Sequence, residues 1–137
     1  MLVPVLLATV LAALSALHVF WALGGRLAVG AAIPEVDGRP TFRPSPAATL
    51  VVAAGLLLAA GVALSRGAVI WPSFPGSPAH WAAIAFGVVF VLRAIGEFRL
   101  VGFFKRVRGT SFARWDTRLF SPLSLAMGLS FLWIASR

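Results

Sequence analysis

Residues 2–23 read LVPVLLATVLAALSALHVFWAL, an apolar run of 22 residues whose polar members are Thr9, Ser15 and His18. At about 1.5 Å per residue, a helix of this length crosses the roughly 30 Å hydrocarbon core of a bilayer. A cleavable signal peptide is the competing interpretation. The run has no basic residues before it, however, and it is longer than the usual apolar segment of about 7–15 residues. It therefore predicts a membrane-spanning helix.

Three more apolar segments follow along the chain. The four predicted spans cover about residues 2–23, 47–64, 79–101 and 119–135. Hydrophobic residues make up 60% of the chain and charged residues only 12%, about half the usual share in soluble domains. We therefore expect a single integral membrane domain over residues 1–137, all-α, folded as a four-helix transmembrane bundle.

Glycine, serine and proline predict where these helices begin and end. Gly24-Gly25 ends the first span. Ser45-Pro46 suits the start of the second, as N-cap and first helical residue. Ser121 is a candidate N-cap for the fourth span. The proline-rich segment between Ile33 and Pro46 favours irregular structure.

Basic residues are concentrated in two of the predicted loops. The loop of residues 24–46 has three arginines and that of residues 99–118 has six Lys and Arg, against Arg66 and Arg137 on the other side. Because Lys and Arg accumulate in cytoplasmic loops, both loops are predicted to be cytoplasmic and both termini outside, in a plasma or bacterial inner membrane. The net charge of +8 then reflects contact with anionic lipid, and we expect no nucleic-acid partner.

Cofactor and metal chemistry find little support in the sequence. Without cysteine, the chain has no disulfide and no thiolate ligand. Three oxygen and nitrogen ligands could come from His18, Glu97 and Asp116, but the arginines around them would repel a cation. His18 and His80 belong to opposite membrane faces, which disfavours a haem held by both. We therefore expect neither a metal nor a cofactor.

The polar stretch between the last two spans, Arg93–Pro122, reads RAIGEFRLVGFFKRVRGTSFARWDTRLFSP. It holds seven of the twelve basic residues and two of the four acidic ones. Arg93 and Glu97 are four residues apart, so on a helix they share one face. They are either a structural ion pair or a buried pair that binds a polar or anionic group. Asp116, which stands among arginines, is expected to pair with one of them and anchor the loop.

His18 lies near the end of the first span, in the same half of the membrane as Arg93 and Glu97. Trp21, three residues on, shares its helix face. One interpretation is a structural histidine that hydrogen-bonds a backbone carbonyl or a hydroxyl. The alternative is a neutral imidazole bonded to Glu97 or Asp116 and available for proton transfer.

Several short motifs carry a resemblance to a known family. They are His18-x-x-Trp21-x-x-Gly24-Gly25, Arg93-x-x-Gly96-Glu97-Phe98, Gly102-Phe103-Phe104-Lys105, Thr110-x-Phe112-Ala113-x-x-Asp116-Thr117 and Ser121-Pro122-Leu123. On these motifs the chain resembles an uncharacterised family of small, mostly bacterial four-span membrane proteins, a domain of unknown function. The resemblance covers nearly the whole chain and implies a topology but no activity. A looser likeness, of architecture alone, is to four-helix sterol-isomerase-like membrane proteins.

The leading functional hypothesis is a module that binds membrane lipid or a small amphipathic molecule in a cytoplasmic-side polar pocket between helices. In that pocket Arg93 would bind the polar head group, His18, Glu97 and Asp116 would orient it, and Trp21 and Phe98 would form the apolar wall.

Two alternatives remain open. One is an intramembrane enzyme that uses His18 or Glu97 as general acid or base on a lipid-like substrate. The other is a structural subunit of a larger membrane complex, or a homo-oligomer. Small-residue helix faces such as Ala8-Ala12-Ala16 and Gly55-Ala59-Ala63 would pack against the partner helices.

Overall fold

The computed structural model describes residues 1–71 and 73–137. In chain order the elements are α1 (Leu2–Ala22), α2 (Val29–Ala32), β1 (Glu35–Val36), β2 (Arg39–Pro40), α3 (Pro46–Arg66), α4 (Pro78–Ile95), α5 (Ser111–Trp115), a π-helical turn (Asp116–Phe120) and α6 (Ser121–Ala135). Within the described residues, four helices are long and apolar enough to cross a membrane: α1, α3, α4 and the continuous segment Ser111–Ala135. The prediction of an all-α four-helix transmembrane bundle is confirmed, and the chain is an integral membrane protein.

The last two spans differ from their predicted bounds. The third span, helix α4, ends at Ile95 instead of near residue 101, because Gly96 adopts φ +88° and turns the chain out of the helix. The last span begins at Ser111 instead of residue 119, because the π-helical turn continues the helix through residues predicted as loop. Its N-cap is Thr110, whose hydroxyl accepts a 3.0 Å hydrogen bond from the first turn. The predicted N-cap, Ser121, lies inside the helix.

Ser-Pro pairs start two of the spans, for the reason that the sequence suggests. The Ser45 hydroxyl accepts a hydrogen bond from the N–H of Ala48 (3.1 Å), and Pro46 is the first residue of α3. The Ser77 hydroxyl likewise accepts a bond of 3.3 Å from the first turn of α4. Proline removes no hydrogen bond there, because the first helical N–H has no intrahelical partner.

A short hairpin interrupts the segment that was predicted to be irregular. Strands β1 and β2 pair antiparallel across Asp37-Gly38, both of which have positive φ (51° and 74°). An Asp-Gly pair is the usual sequence of a two-residue hairpin turn, and here it outweighs the neighbouring prolines. Thr41 holds the hairpin in place by donating from its N–H (2.9 Å) and its hydroxyl (3.0 Å) to the carbonyl of Pro34.

The bundle is built from two helix pairs, α1 with α3 and α4 with α6, which share one apolar core. Its centre is fully buried and includes Leu11, Ala59, Ala63, Ala83 and Phe131. Burial of Ala59 and Ala63 places much of the small-residue face of α3 inside the bundle. On α1, by contrast, Ala12 and Ala16 are exposed.

Helices α4 and α6 meet at two glycines. A Cβ added to Gly128 would lie 2.9 Å from the carbonyl oxygen of Gly87 and 2.9 Å from the N–H nitrogen of Val91. Only a residue without a side chain fits this backbone contact, which is the small-residue packing typical of membrane helices.

The two basic loops meet at one end of the bundle. Helix α2 packs on α5, and the N–H of Ser111 donates to the Glu35 carboxylate at 3.3 Å. At the opposite end the buried Arg66 donates to the carbonyls of Ile134 (3.2 Å) and Ala135 (3.3 Å). These are terminal carbonyls of α6 that have no partner within their own helix. The two basic loops and Arg66 therefore lie at opposite ends of the bundle.

Candidate functional site

A buried charge cluster surrounds Asp116, which is completely inaccessible. One carboxylate oxygen accepts a hydrogen bond from the Arg93 guanidinium at 2.7 Å. The other accepts from the N–H of Gly102 (2.8 Å), the ammonium of Lys105 (3.0 Å) and the hydroxyl of Ser121 (3.1 Å). Asp116 thus joins α4, the loop after it and the last span, and its arginine partner is Arg93 rather than one of the arginines beside it in the sequence.

Lys105 is the member of this cluster that sequence reasoning missed. It is only 2% exposed. Its ammonium donates to the carbonyl of Gly102 (2.8 Å) and the hydroxyl of Thr117 (2.6 Å) as well as to Asp116. All three ammonium protons therefore have acceptors. Nothing in the local sequence separates Lys105 from the exposed arginines around it except the Gly102-Phe103-Phe104-Lys105 motif.

Two glycines with positive φ form the loop that carries these groups. Gly96 (φ +88°) and Gly102 (φ +90°) lie against each other where the chain crosses itself. A Cβ on Gly102 would collide with the backbone of Ile95 and Gly96. Phe103 then donates its N–H to the carbonyl of Ala94 (2.8 Å), so the loop closes onto the end of α4. This closure aims the Gly102 N–H at Asp116.

The predicted Arg93–Glu97 pair is wrong. Because Gly96 ends the helix, the four-residue spacing does not put the two side chains on one face. Glu97 is exposed, and its carboxylate accepts hydrogen bonds from the N–H groups of Arg99 (3.2 Å), Leu100 and Val101 (3.2 Å). It therefore holds its own loop together, and Arg93 pairs with Asp116 instead.

Phe98 also lies on this loop, with φ +67° and its side chain 57% exposed. Its ring centroid is 6.4 Å from that of Phe104, which is equally exposed. The pair forms an apolar patch on the outer surface of the loop. It is not part of the wall of the cavity that contains Trp21.

His18 does not hydrogen-bond Glu97 or Asp116, so the hypothesis that required such a bond is wrong. Its Nδ1 lies 2.7 Å from the carbonyl oxygen of Leu14, one turn earlier in α1, so Nδ1 is the donor and Nε2 is the ring nitrogen left for a ligand. The predicted neighbour Trp21 is indeed adjacent, with ring centroids 5.0 Å apart in an edge-to-face arrangement. In the described part of the chain, no three His, Asp or Glu side chains converge as a metal site would require.

His18 and Trp21 line a cavity of about 550 Å³ between α1, the first loop and α3. The end of α1 contributes Gly24 and Gly25 in addition to His18 and Trp21. The loop contributes Arg26, Val29, Ala32, Ile33, Phe42 and Arg43. The wall is completed by Pro44 and by the first turns of α3 (Pro46, Ala48, Thr49 and Val52).

The wall is chemically two-sided. Arg26 and Arg43 supply positive charge, and none of the described residues that line the cavity is acidic. The remaining wall is mainly aliphatic and aromatic. Trp21 is fixed there because its indole N–H donates to the carbonyl of Leu27 at 2.7 Å. A volume in the range of roughly 300–1,000 Å³ with a few polar groups is typical of small-molecule pockets.

The predicted site therefore divides into separate places. His18 and Trp21 line the cavity. Arg93 and Asp116 belong to the buried cluster. Glu97 and Phe98 lie on the loop between α4 and α5. Sequence reasoning missed Arg26 and Arg43 as cavity residues. Their positions directly after Gly24-Gly25 and directly before Pro44-Ser45-Pro46, at the two helix ends, are the signal that could have indicated them.

Comparison with known proteins gives a family without an activity. A family described as "Protein of unknown function (DUF3995)" matches residues 11–131, from the first span to near the end of the last. Searches among curated proteins and among solved structures found no match. The expected resemblance to an uncharacterised family of small membrane proteins is thus confirmed: the chain belongs to the DUF3995 family of proteins of unknown function.

Proposed function

We propose that the protein binds a lipid or small amphipathic molecule in the cavity between α1 and α3. The observation that carries this proposal is the cavity itself: about 550 Å³, with His18, Arg26 and Arg43 in an otherwise largely apolar wall. A molecule with one polar end and one apolar end would satisfy both parts of this wall. The proposal keeps the predicted ligand class and moves the site away from Arg93.

The buried cluster supports a structural role for Lys105 and Asp116, and Arg93 takes part in it as the ion-pair partner of Asp116. The hydrogen-bonding groups of Asp116 and Lys105 are satisfied within the protein, as they are in a structural anchor. An enzyme that uses Glu97 is not favoured, because that carboxylate is occupied by three backbone N–H groups outside the cavity. A second candidate is a packing subunit of a membrane complex, which the outward-facing Ala12 and Ala16 support.

We further propose that the cavity opens on the cytoplasmic side of a bacterial inner membrane. The two loops that share one end of the bundle carry nine of the twelve basic residues, three in residues 24–46 and six in residues 99–118. Because the chain has no cysteine, single cysteines can report the topology. In intact cells a membrane-impermeant maleimide should label Ser136→Cys and should label Gly109→Cys only after permeabilisation. The reverse pattern would refute this orientation.

Fluorescence of Trp21 offers a direct test of binding. In a variant that has Phe at the other four tryptophans, which are all exposed (Trp71, Trp81, Trp115 and Trp133), fluorescence reports on the cavity alone. We expect 12-bromododecanoate, titrated into dodecyl maltoside micelles, to quench Trp21 with saturation. A matched variant that retains only Trp115, at the same end of the bundle but outside the cavity, should show unsaturable quenching. Equal, unsaturable quenching of both would refute the proposal.

A pair of neighbouring alanines provides the control for location. Ala48 and Ala47 are both exposed in the first turn of α3, but of the two only Ala48 lines the cavity. Ala48→Phe should abolish saturable quenching by filling the space, and Ala47→Phe should preserve it. Loss of binding in both variants, or in neither, would place the ligand elsewhere.

A further inference from the structure

We propose that this cavity selects amphiphiles with an anionic head group, a carboxylate or a phosphate, and binds that head between Arg26 and Arg43. This inference rests on the proposed function and adds the chemical class of the ligand. It assigns a role to two arginines outside the predicted site.

The distribution of charge supports it. Among the described residues, neither the Arg26 nor the Arg43 guanidinium has a hydrogen-bond or ion-pair partner, and both line the cavity. Neither acidic residue of the first loop is among the residues that line the cavity. Glu35 accepts from the N–H of Ser111, and Asp37 occupies the hairpin turn. The cavity wall therefore has two positive charges without an ion-pair partner among the described residues, and these favour an anion over a neutral or cationic head group.

The backbone around Arg26 is held before any ligand arrives. Gly25 donates its N–H to the carbonyl of Phe20 (2.9 Å), and a Cβ on Gly25 would collide with the Phe20 ring. On the other side, the indole of Trp21 holds the carbonyl of Leu27. These contacts lie immediately before and after Arg26, so its Cα is fixed relative to α1.

Arg43 is held in the same manner from the other chain segment. Thr41 is bonded to the carbonyl of Pro34, and Ser45 caps α3. Only the two side chains then remain to be ordered when an anion binds. Such preorganisation lowers the entropic cost of binding and is typical of a site for a charged group.

The position of the arginines along the bundle matches an amphiphile in a bilayer. Arg26 follows the end of α1 and Arg43 precedes the start of α3, so both lie at the helix ends, the level of lipid head groups. Wall residues such as Val52 and His18 lie within the helices, one or more turns deeper. An alkyl chain can therefore extend from the arginines toward the hydrocarbon layer.

A series of probes with one chain and three head groups tests the inference on the variant that retains only Trp21. The probes are 12-bromododecanoate, 12-bromododecanol and 12-bromododecyl-trimethylammonium. We expect the carboxylate to bind at least about tenfold more tightly than the alcohol, since it gains two ion pairs, and the ammonium to show no saturable quenching. Equal affinity for all three would overturn the inference and leave the proposed function intact. Saturable quenching by none would overturn the proposed function itself.

Substitutions of the arginines locate the selectivity. Arg26→Ala and Arg43→Ala should each weaken carboxylate binding by about fivefold, which corresponds to the upper range for exposed ion pairs. Both should weaken binding of the alcohol less than binding of the carboxylate, and an unchanged Tm shows that the variants are folded. Arg39→Ala, an exposed arginine of β2 outside the cavity wall, should leave carboxylate binding unchanged. An equal effect of all three substitutions would show only nonspecific attraction and overturn the inference.

Competition distinguishes the sources of the anion. Dioleoyl phosphatidic acid that displaces 12-bromododecanoate from Trp21 would identify the head group of a membrane lipid as an occupant. Displacement by dodecyl phosphate alone would identify a single-chain amphiphile. Inorganic phosphate that displaces the probe at the same concentration would show a site for free anions and overturn the selection of amphiphiles.

Discussion

Replacement of Asp116 by asparagine tests the buried cluster most directly. Asparagine keeps the shape of the side chain but carries no charge and offers one acceptor oxygen instead of two. Four donors converge on the carboxylate, from Arg93, Gly102, Lys105 and Ser121. In the variant the amide NH₂ group must face at least one of them, and two cations lose their counter-ion.

The expected loss of stability is large for a single substitution. Removing one partner of a buried ion pair costs about 3–5 kcal/mol, because the remaining charge stays buried and unpaired. Lys105 is 2% exposed and cannot turn to solvent. For a chain of this length, about 3–4 °C per kcal/mol gives a decrease in Tm of about 10–20 °C. Thermal unfolding in dodecyl maltoside, followed by tryptophan fluorescence, measures it.

The control is Asp37→Asn. Asp37 is exposed at the hairpin turn, and asparagine tolerates its positive φ of 51°. We expect its Tm to stay within about 2 °C of the wild type, since surface substitutions usually change stability by less than about 0.5 kcal/mol. Adding Lys105→Met to Asp116→Asn should recover part of the loss by removing one orphaned charge. If the Asp116→Asn and Asp37→Asn variants have the same Tm, the cluster does not stabilise the fold.

Two glycine substitutions test close backbone contacts by the same unfolding measurement. Gly102→Ala should destabilise by more than about 2 kcal/mol, because φ is +90° and the new Cβ meets backbone; Gly109→Ala, with open space around it, should change stability by less than about 1 kcal/mol. Gly128→Ala should cost about 1–3 kcal/mol by forcing α4 and α6 apart, whereas Gly61→Ala, on an open face of α3, should be neutral or stabilising by up to about 1 kcal/mol. If the two variants of either pair lose similar amounts of stability, the close backbone contact at Gly102 or at Gly128 is contradicted.

The features that the sequence predicts correctly are governed by local interactions. The run from Leu2 to Leu23 predicts α1 to within one residue of its observed end at Ala22, because span length follows from bilayer thickness. Ser45-Pro46 predicts the start of α3, because a cap is made within one turn. The contact between His18 and Trp21 follows from helical periodicity alone.

The failures occur where distant segments meet. Asp116 has arginines on either side in sequence, yet it pairs with Arg93, 23 residues earlier. That choice depends on the π-helical turn and on the loop closed by Gly96 and Gly102, neither of which has a periodic signal. The prediction for Glu97 failed at the same glycine, since a helical spacing has no meaning beyond the end of the helix.

Of the cavity wall, the sequence indicated only His18 and Trp21 as pocket residues, and the rest was missed for a related reason. Its wall combines the end of α1 with a loop whose path is set by a hairpin and by the bond between Glu35 and Ser111, 76 residues apart. Patterns of hydropathy indicate which residues enter the bilayer. They do not indicate which loop folds back over a helix end.

The bonds from Arg66 to the last carbonyls of α6 bear on how the protein can be shortened for crystallisation. A chain stopped before Ile134 would remove two of the four acceptors of a guanidinium that is only 8% exposed and would leave only those of Ser73. Loss of these two acceptors would destabilise the end of the bundle opposite the cavity, and the expected effect is a lower yield of folded protein. Ala135 is therefore the earliest safe stopping point, and a purification tag belongs after it.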